Sequence, residues 1–279
     1  MERQRITATL VENRVVGPHT FVLVLSGCEA LAECLPGQFA MLSSPDWGTD
    51  PLLPRAFSIL ATHAGGRADV LVKTSGKASA LLERTLAGAT FHLLGPLGQA
   101  FPEPSAERTD WLVAGGVGLA PLLMHSERAH RLGLAANVTM FYGGRSAADL
   151  VLLNDIAATG CELVLATEDG SRGHKGYVTG AVSEALDARG DADHKPTLLA
   201  CGPEPMLEAT AQLAHRRGLA GYLSLEGEMA CGVGACLVCA VPCHSKPYRY
   251  TCVEGPVFSL DDLAGPYAAP IGAATGDDR

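Results

Sequence analysis

From Glu226 to Phe258 the chain reads EGEMACGVGACLVCAVPCHSKPYRYTCVEGPVF, and no other stretch restricts so tightly what the molecule can be. Four of its cysteines, Cys231, Cys236, Cys239 and Cys252, are separated by four, two and twelve residues, with Gly232 and Gly234 between the first two. A four-residue gap followed by a two-residue gap suits four thiolates that share a [2Fe–2S] cluster. The rival is a structural zinc site, but such sites pair two short Cys-x2-Cys knuckles, which this spacing does not supply. Cys243 lies off the four-ligand spacing and is either a bystander or an alternative ligand. Cys28, Cys34, Cys161 and Cys201 are scattered in or beside apolar segments and read as small buried filler. Met1 is followed by charged residues rather than an apolar leader. Nine cysteines without an export signal predict free thiols in a soluble, cytoplasmic protein, not disulfides.

The remaining chain has to deliver electrons to this stretch or take them from it. A length of 279 residues predicts two cores and a small appendix. With 47% hydrophobic and 18% charged residues the chain can bury both cores. A formal net charge of -9 and the lack of any Lys/Arg run exclude a nucleic-acid surface. No apolar run reaches the roughly 18 residues of a membrane span.

Residues 1–104 form a string of short β-type runs: ITATLVENRVV, HTFVLVLSG, GQFAMLSS, RAFSIL, ADVLVKTSG and TFHLLGPLG. Each is rich in Val, Leu, Ile, Phe or Thr and is bounded by Gly, Pro, Asp or Ser. Six such runs predict an antiparallel Greek-key β-barrel. Helical spacing from Ala78 to Leu86 predicts a helix that caps one end. Arg55, Ser58 and the small-residue turn Gly76-Lys77-Ala78-Ser79 offer a guanidinium, a hydroxyl and backbone N–H groups, a trio suited to a diphosphate. Taken alone, the spacing of Arg55 and Ser58 favours a surface salt bridge and a plain turn.

At Thr109 the texture changes. TDWLVAGGVGLAPLLMHSERAHRLG is an apolar strand, a glycine turn and an amphipathic helix. The strand-loop-helix rhythm recurs in NVTMFYGGRSAADL, CELVLATEDGS and PTLLACGPEPMLEATAQLAHRRG. That alternation predicts right-handed βαβ units and a parallel sheet over 105–222, with functional loops at the carboxyl ends of its strands. The loops are Gly115-Gly116-Val117-Gly118, Gly143-Gly144-Arg145, Glu168-Asp169-Gly170 and Cys201-Gly202-Pro203. Gly116 and Gly118 allow a pyrophosphate close to the backbone, or serve loop geometry only. Arg145 touches a phosphate or is solvated; Glu168 and Asp169 meet ribose hydroxyls or cap a turn. Residues 223–264 then make a small cluster domain. The Ala- and Gly-rich tail, 265–279, is expected to be disordered. The fold class is α+β, multi-domain.

The segments RAFS, GGVGLAPL and CGPEPML resemble the flavin and nicotinamide-nucleotide motifs of the ferredoxin-NADP reductase superfamily. With GPLGQAF, TEDGSRGHKGYVTG, SLEGEMACGVGACLVCAV and CVEGPVF added, the chain resembles the electron-transfer subunits of NAD-linked heteromeric dihydroorotate dehydrogenases over nearly its whole length. The resemblance implies FAD contacts at Arg55, Ala56, Phe57 and Ser58, at Val72, Lys73 and Thr74, and at Ala78 and Ser79. It implies a nicotinamide nucleotide at Gly115, Gly116, Gly118, Cys201, Gly202 and Pro203, and cluster ligands at Cys231, Cys236, Cys239 and Cys252. The chain departs from the pattern at three places. Ala78-Ser79 stands where a Gly-Thr pair is usual, RAFS where Arg-Pro-Ile-Ser is common, and Gly227-Glu228 where a basic or amide residue is common.

By the same resemblance the partner is an FMN-containing catalytic subunit, in a heterotetramer of two of each subunit, serving pyrimidine biosynthesis. Nicotinamide nucleotides exchange electrons in pairs and iron–sulfur clusters singly, so the FAD belongs between them, with its ring near Phe57. No general acid or base is assigned, since the protein's task is to orient two rings. The alternatives are a ferredoxin- or hydrogenase-linked NAD(P) oxidoreductase subunit, and a redox sensor without turnover. NAD is preferred to NADP, because no basic cluster cages a 2′-phosphate and Glu168-Asp169 is acidic.

Overall fold

A computed structural model describes residues 3–190 and 194–269. The first six strands are β1 (Gln4–Gly17), β2 (Thr20–Ser26), β3 (Phe39–Ser43), β4 (Arg55–His63), β5 (Arg67–Lys73) and β6 (Thr90–Leu97). They close into an antiparallel barrel in the order β1-β2-β5-β4-β3-β6. The alternation of β1 turns Ile6, Ala8 and Leu10 inward, where they meet Leu23, Leu25, Ile59, Val70, Val72 and Phe91. β2 is buried on both faces, so it has to be covered from outside as well.

Helix α1 (Lys77–Glu83) ends three residues short of the Leu86 predicted from its spacing. The cause lies across the barrel. Asn13 Nδ2 donates to the carbonyls of Leu82 (2.9 Å), Glu83 (3.2 Å) and Thr85 (3.1 Å), which takes up the carbonyls a longer helix would need.

The parallel sheet follows as predicted. Its elements are β7 (Asp110–Gly115), α2 (Leu119–Arg131), β8 (Val138–Gly144), α3 (Leu153–Ala158), β9 (Glu162–Thr167), β10 (His174–Lys175), α4 (Val178–Arg189), β11 (Thr197–Cys201), α5 (Glu204–Arg217) and β12 (Gly221–Ser224). Both β7 and β11 are buried at every residue, as central strands covered on two faces are. Asp110, which opens β7, accepts from Arg108 Nη2 (3.1 Å) and lies 3.0 Å from Nε2 of the fully buried His125. Desolvation raises the Asp110 carboxyl, but hydrogen bonds and charge from His125 and Arg108 outweigh it and hold the group below the usual range.

The cluster segment adds a two-stranded ribbon, β13 (Ala240–Pro242) with β14 (Tyr248–Tyr250). It also returns to the larger sheet: β15 (Val257–Ser259) pairs antiparallel with β12. The sheet order is therefore β10-β9-β8-β7-β11-β12-β15, and its last strand comes from the motif CVEGPVF. One apolar core joins the halves. Val22, Leu60 and Leu71 on the outside of the barrel pack with Phe101, Leu119, Leu122 and Leu123. Burying each such leucine contributes about 1.5–3 kcal/mol.

The expected disorder of the tail does not extend to its first residues. Tyr267 is buried against the α5 core, His215 Nε2 lies 2.8 Å from its carbonyl, and Gln212 Nε2 donates to Pro266 and Ala268. The rest of that expectation, 270–279, lies outside the described residues. No helix among the described residues is long and apolar enough to cross a membrane.

Candidate functional site

The barrel, the parallel sheet and the cluster segment all border one cavity of about 700 Å³. The barrel supplies Phe39, Leu53, Arg55 to Ser58, Leu71, Lys73 and Ser75. The sheet supplies Val117, Gly118, Cys201 and Ser224, and the stretch leading to the cluster supplies Leu225 to Ala230, with Val238 and Pro256 beyond.

The barrel residues singled out from the sequence divide by strand alternation. On β5, Leu71 and Lys73 face the cavity, whereas Val72 points into the barrel core. On β4, Ala56 packs toward the cluster segment and Phe57 against the barrel core, and both still border the cavity. Arg55 is exposed and donates from Nη1 to the carbonyls of Leu53 (2.7 Å) and Pro54 (3.3 Å). Its remaining N–H groups stay available to an anion. Thr74 Oγ1 is buried without a hydrogen-bond partner, an orphan that a bound polar group would satisfy. Ser79 behaves otherwise. Its Oγ accepts from the N–H of Ser75 (2.9 Å) and Gly76 (3.0 Å), so the hydroxyl closes the turn before α1. Ala78 is buried in the barrel core beside it.

The Gly115–Gly118 and Cys201–Pro203 loops meet backbone to backbone. A Cβ on Gly118 would fall 2.2 Å from the Cys201 carbonyl oxygen, and one on Gly202 would fall 3.0 Å from Gly115 N. One on Gly115 would fall 2.9 Å from Pro203 Cδ. These three glycines therefore serve loop-on-loop packing, and only Gly116 faces open space. Cys201 borders the cavity beneath this contact, and burial together with the Glu226 charge pushes its thiol up to about 12. Of the acidic pair, the Asp169 Oδ1 is occupied by Ser171, through N (2.9 Å) and Oγ (2.6 Å), so it caps a turn. Arg145 Nη2 lies 3.9 Å from Asp149 Oδ1 and is largely solvated.

The four cysteines fall into two pairs. Cys239 and Cys252 are buried with sulfurs 3.3 Å apart, in an apolar group with Phe39, Met41 and Leu97. In the other pair, Cys231 Sγ accepts from the N–H of Val233 and Cys236, each at 3.4 Å. Burial raises the Cys231 thiol, but these amides more than offset it and bring the pKa down to about 6. The turn requires its glycines: Gly232 and Gly234 have φ of 70° and 82°, a region that disfavours side chains. Two sulfur pairs, with the amide donors gathered on Cys231, suit a two-iron group held by four thiolates. No three His, Cys, Asp or Glu side chains among the described residues converge as a single-metal site. Cys243 lies elsewhere, buried in the core with Leu260 and Leu263.

Sequence reasoning missed Ser224 and the Leu225 to Ala230 wall. Glu226 is open to the cavity, yet desolvation by the surrounding protein pushes its carboxyl upward. The available signal was position alone, directly before Cys231.

Comparison with known proteins places these features. Residues 226–264 match the iron-sulfur cluster binding domain of dihydroorotate dehydrogenase B. Residues 112–212 match the oxidoreductase NAD-binding domain. The dihydroorotate dehydrogenase B (NAD(+)) electron transfer subunit of Bacillus caldolyticus is 37% identical over 267 residues, which cover 94% of this chain and 98% of that protein. A solved NADH-dependent reduced ferredoxin-NADP oxidoreductase, described in connection with flavin-based electron bifurcation, is 26% identical with a TM-score of 0.75, over 90% of this chain and 87% of that one. The ferredoxin reductase in carbazole 1,9a-dioxygenase, in its FAD apo form, is 26% identical with a TM-score of 0.63, over 78% of this chain and 64% of that one. The chain belongs to the family of electron transfer subunits of the NAD-linked dihydroorotate dehydrogenase B.

Proposed function

We propose that the 700 Å³ cavity is where FAD and the nicotinamide nucleotide meet, with the [2Fe–2S] cluster behind Ala56. The observation that carries this reading is that Ala56 borders the cavity on one side and packs in the apolar group of Cys239 and Cys252 on the other. Arg55 to Ser58, Val72 to Thr74, Ala78 and Ser79 would hold FAD, the cofactor named for the carbazole-dioxygenase reductase. Val72 and Ser79 contribute backbone and turn geometry; Thr74 contributes its unpartnered hydroxyl. Gly115, Gly116, Gly118, Cys201, Gly202 and Pro203 would take NAD(H), and Cys231, Cys236, Cys239 and Cys252 would hold the iron. When bound, FAD exchanges electrons in pairs with a nicotinamide nucleotide and singly with an iron–sulfur cluster.

The chain's own residues bind, orient and exclude water. Arg55 presents N–H donors at the rim, and the amides of Val233 and Cys236 stabilise negative charge on the Cys231 sulfur. The exposed Cys236 marks the exit, flanked by Leu237 and Val238. Beyond it lies a separate FMN-containing catalytic subunit that oxidises dihydroorotate in pyrimidine synthesis, two copies of each chain forming the complex. The divisions 1–104, 105–222 and 223–264 assign one cofactor to each part, with β15 lent back to the sheet. Four cysteines given to iron need their thiolates kept from disulfides, which suits a reducing, cytoplasmic setting.

Co-expression with a candidate catalytic subunit, followed by assay of FAD, FMN, iron and sulfide, tests the reading. The purified single chain reduces dyes with NADH and forms no orotate; orotate formation by it alone would overturn the assignment. A second reading, a ferredoxin-linked subunit, is favoured by the likeness to the reduced ferredoxin-NADP oxidoreductase. Co-purification of an FMN protein decides between them.

A further inference from the structure

Among the described residues, one ion pair links a barrel strand to the parallel-sheet half: Lys73 Nζ lies 3.2 Å from Asp149 Oδ1. Lys73 also lines the cavity, and the two side chains are 32% and 14% exposed. Asp149 is itself firmly held. Its Oδ2 accepts from Ser146 N (3.2 Å) and Ser146 Oγ (3.0 Å), and its carbonyl accepts from Tyr142 OH (3.3 Å). The turn that carries it is bonded onward, because Ala147 N donates to Ser171 Oγ (2.8 Å) and that hydroxyl donates to Asp169 (2.6 Å). The same turn presses on the barrel a second time. A Cβ on Gly17 would fall 2.6 Å from Val151 Cγ1 and 3.4 Å from the Ala148 carbonyl. A continuous set of contacts thus runs from the cavity wall at Lys73 to the Glu168–Ser171 loop at the end of β9.

We propose that Asp149 is a positioning residue for the nicotinamide nucleotide: through Lys73 it latches the Ser146–Leu150 turn, and with it the Glu168–Ser171 loop, against the flavin side of the cavity. The inference rests on the assignment of that cavity to FAD and NAD(H). Asp149 does not line the cavity, so its effect falls on binding and not on the electron-transfer step. The latch needs the carboxylate at 149 both as the partner of Lys73 and as the acceptor for Ser146. That requirement separates it from a role in which the Lys73 ammonium meets the nucleotide directly.

The test uses the FAD- and iron-loaded chain. NAD+ binding is measured by calorimetry, and KM and kcat for NADH by dye reduction. Asp149→Asn raises Kd and KM about three- to fivefold, the range that an ion pair of this exposure carries, while kcat and FAD content hold. Asp149→Glu, which keeps the charge for Lys73 and a carboxylate to accept from Ser146, holds Kd near the wild-type value. Values for Asp149→Asn within experimental error of wild type overturn the latch. Loss of FAD from Asp149→Asn also overturns it, since the residue would then serve the flavin. Should Asp149→Asn not fold, Asp149→Ser, which keeps a hydroxyl oxygen near Ser146 but no charge, decides in its place: a folded, FAD-loaded Asp149→Ser with the wild-type Kd shows that the latch is wrong. Failure of the wild-type chain to bind NAD+ at all would instead strike the cavity assignment.

Discussion

The sulfurs of Cys239 and Cys252 stand 3.3 Å apart within an apolar group that Ala56 of the barrel shares. Cys243, only four residues from Cys239, belongs to a different core with Leu260 and Leu263. Cys243→Ala therefore keeps its full iron and sulfide content, and Cys252→Ala loses most of it. Metal and sulfide analysis of both proteins checks this, and an iron-depleted Cys243→Ala would make Cys243 a ligand.

Asp110, between Arg108 and His125, predicts an acid-dependent stability. Its carboxyl is held below the usual range, so the contribution is complete above the unfolded value of about 3.9 and fades as the pH falls through the lower folded value. Asp110→Asn costs about 3 kcal/mol at neutral pH, because it removes the charge that pairs a buried histidine. Urea unfolding of both proteins from pH 7 to pH 3 should show the difference shrinking toward acid. A constant difference across that range would contradict the account.

Gly118 offers a test of loop packing. A methyl group there meets the Cys201 carbonyl, and backbone cannot yield as a side-chain tip can. Gly118→Ala separates the Gly115–Gly118 and Cys201–Pro203 loops and, on the proposed assignment, raises the NAD+ Kd about tenfold, with the iron content unchanged. Unaltered NAD+ binding in a folded Gly118→Ala would remove this contact from the nucleotide site.

The proposed exit surface is also open to test. Leu237 and Val238 are more than half exposed beside Cys236, and Leu237 adopts a left-handed φ of 62° that few leucines take. Leu237→Asp weakens association with the catalytic subunit at least about tenfold while NADH-to-dye activity stays at the wild-type level. Gel filtration and calorimetry measure the first, and equal affinity would move the interface elsewhere.

Much of this molecule was legible in its residue order, for physical reasons. Short apolar and β-branched runs bounded by turn residues marked all six barrel strands, and strand-glycine-helix alternation marked the parallel sheet. The cysteine spacing is a local property, so it survives without knowledge of the fold. Contacts between distant segments were not legible. Asn13 shortening α1, β15 returning to β12 and Asp149 meeting Lys73 each join residues dozens of positions apart, with no periodic signature. The glycines taught a related lesson. Gly118 looked like room for a phosphate, yet the space beside it is filled by the Cys201 backbone.

The central claim is that the cysteine stretch is an exit for electrons and not the place where the nucleotide reacts. Cys236→Ser tests it most directly, because Cys236 is exposed and lies outside the cavity lining. The measurement is NADH-dependent dye reduction beside NADH-dependent orotate reduction in the complex with the catalytic subunit. The account predicts dye reduction near the wild-type rate and loss of the orotate-linked activity. Parallel loss of both, with FAD retained, would contradict it.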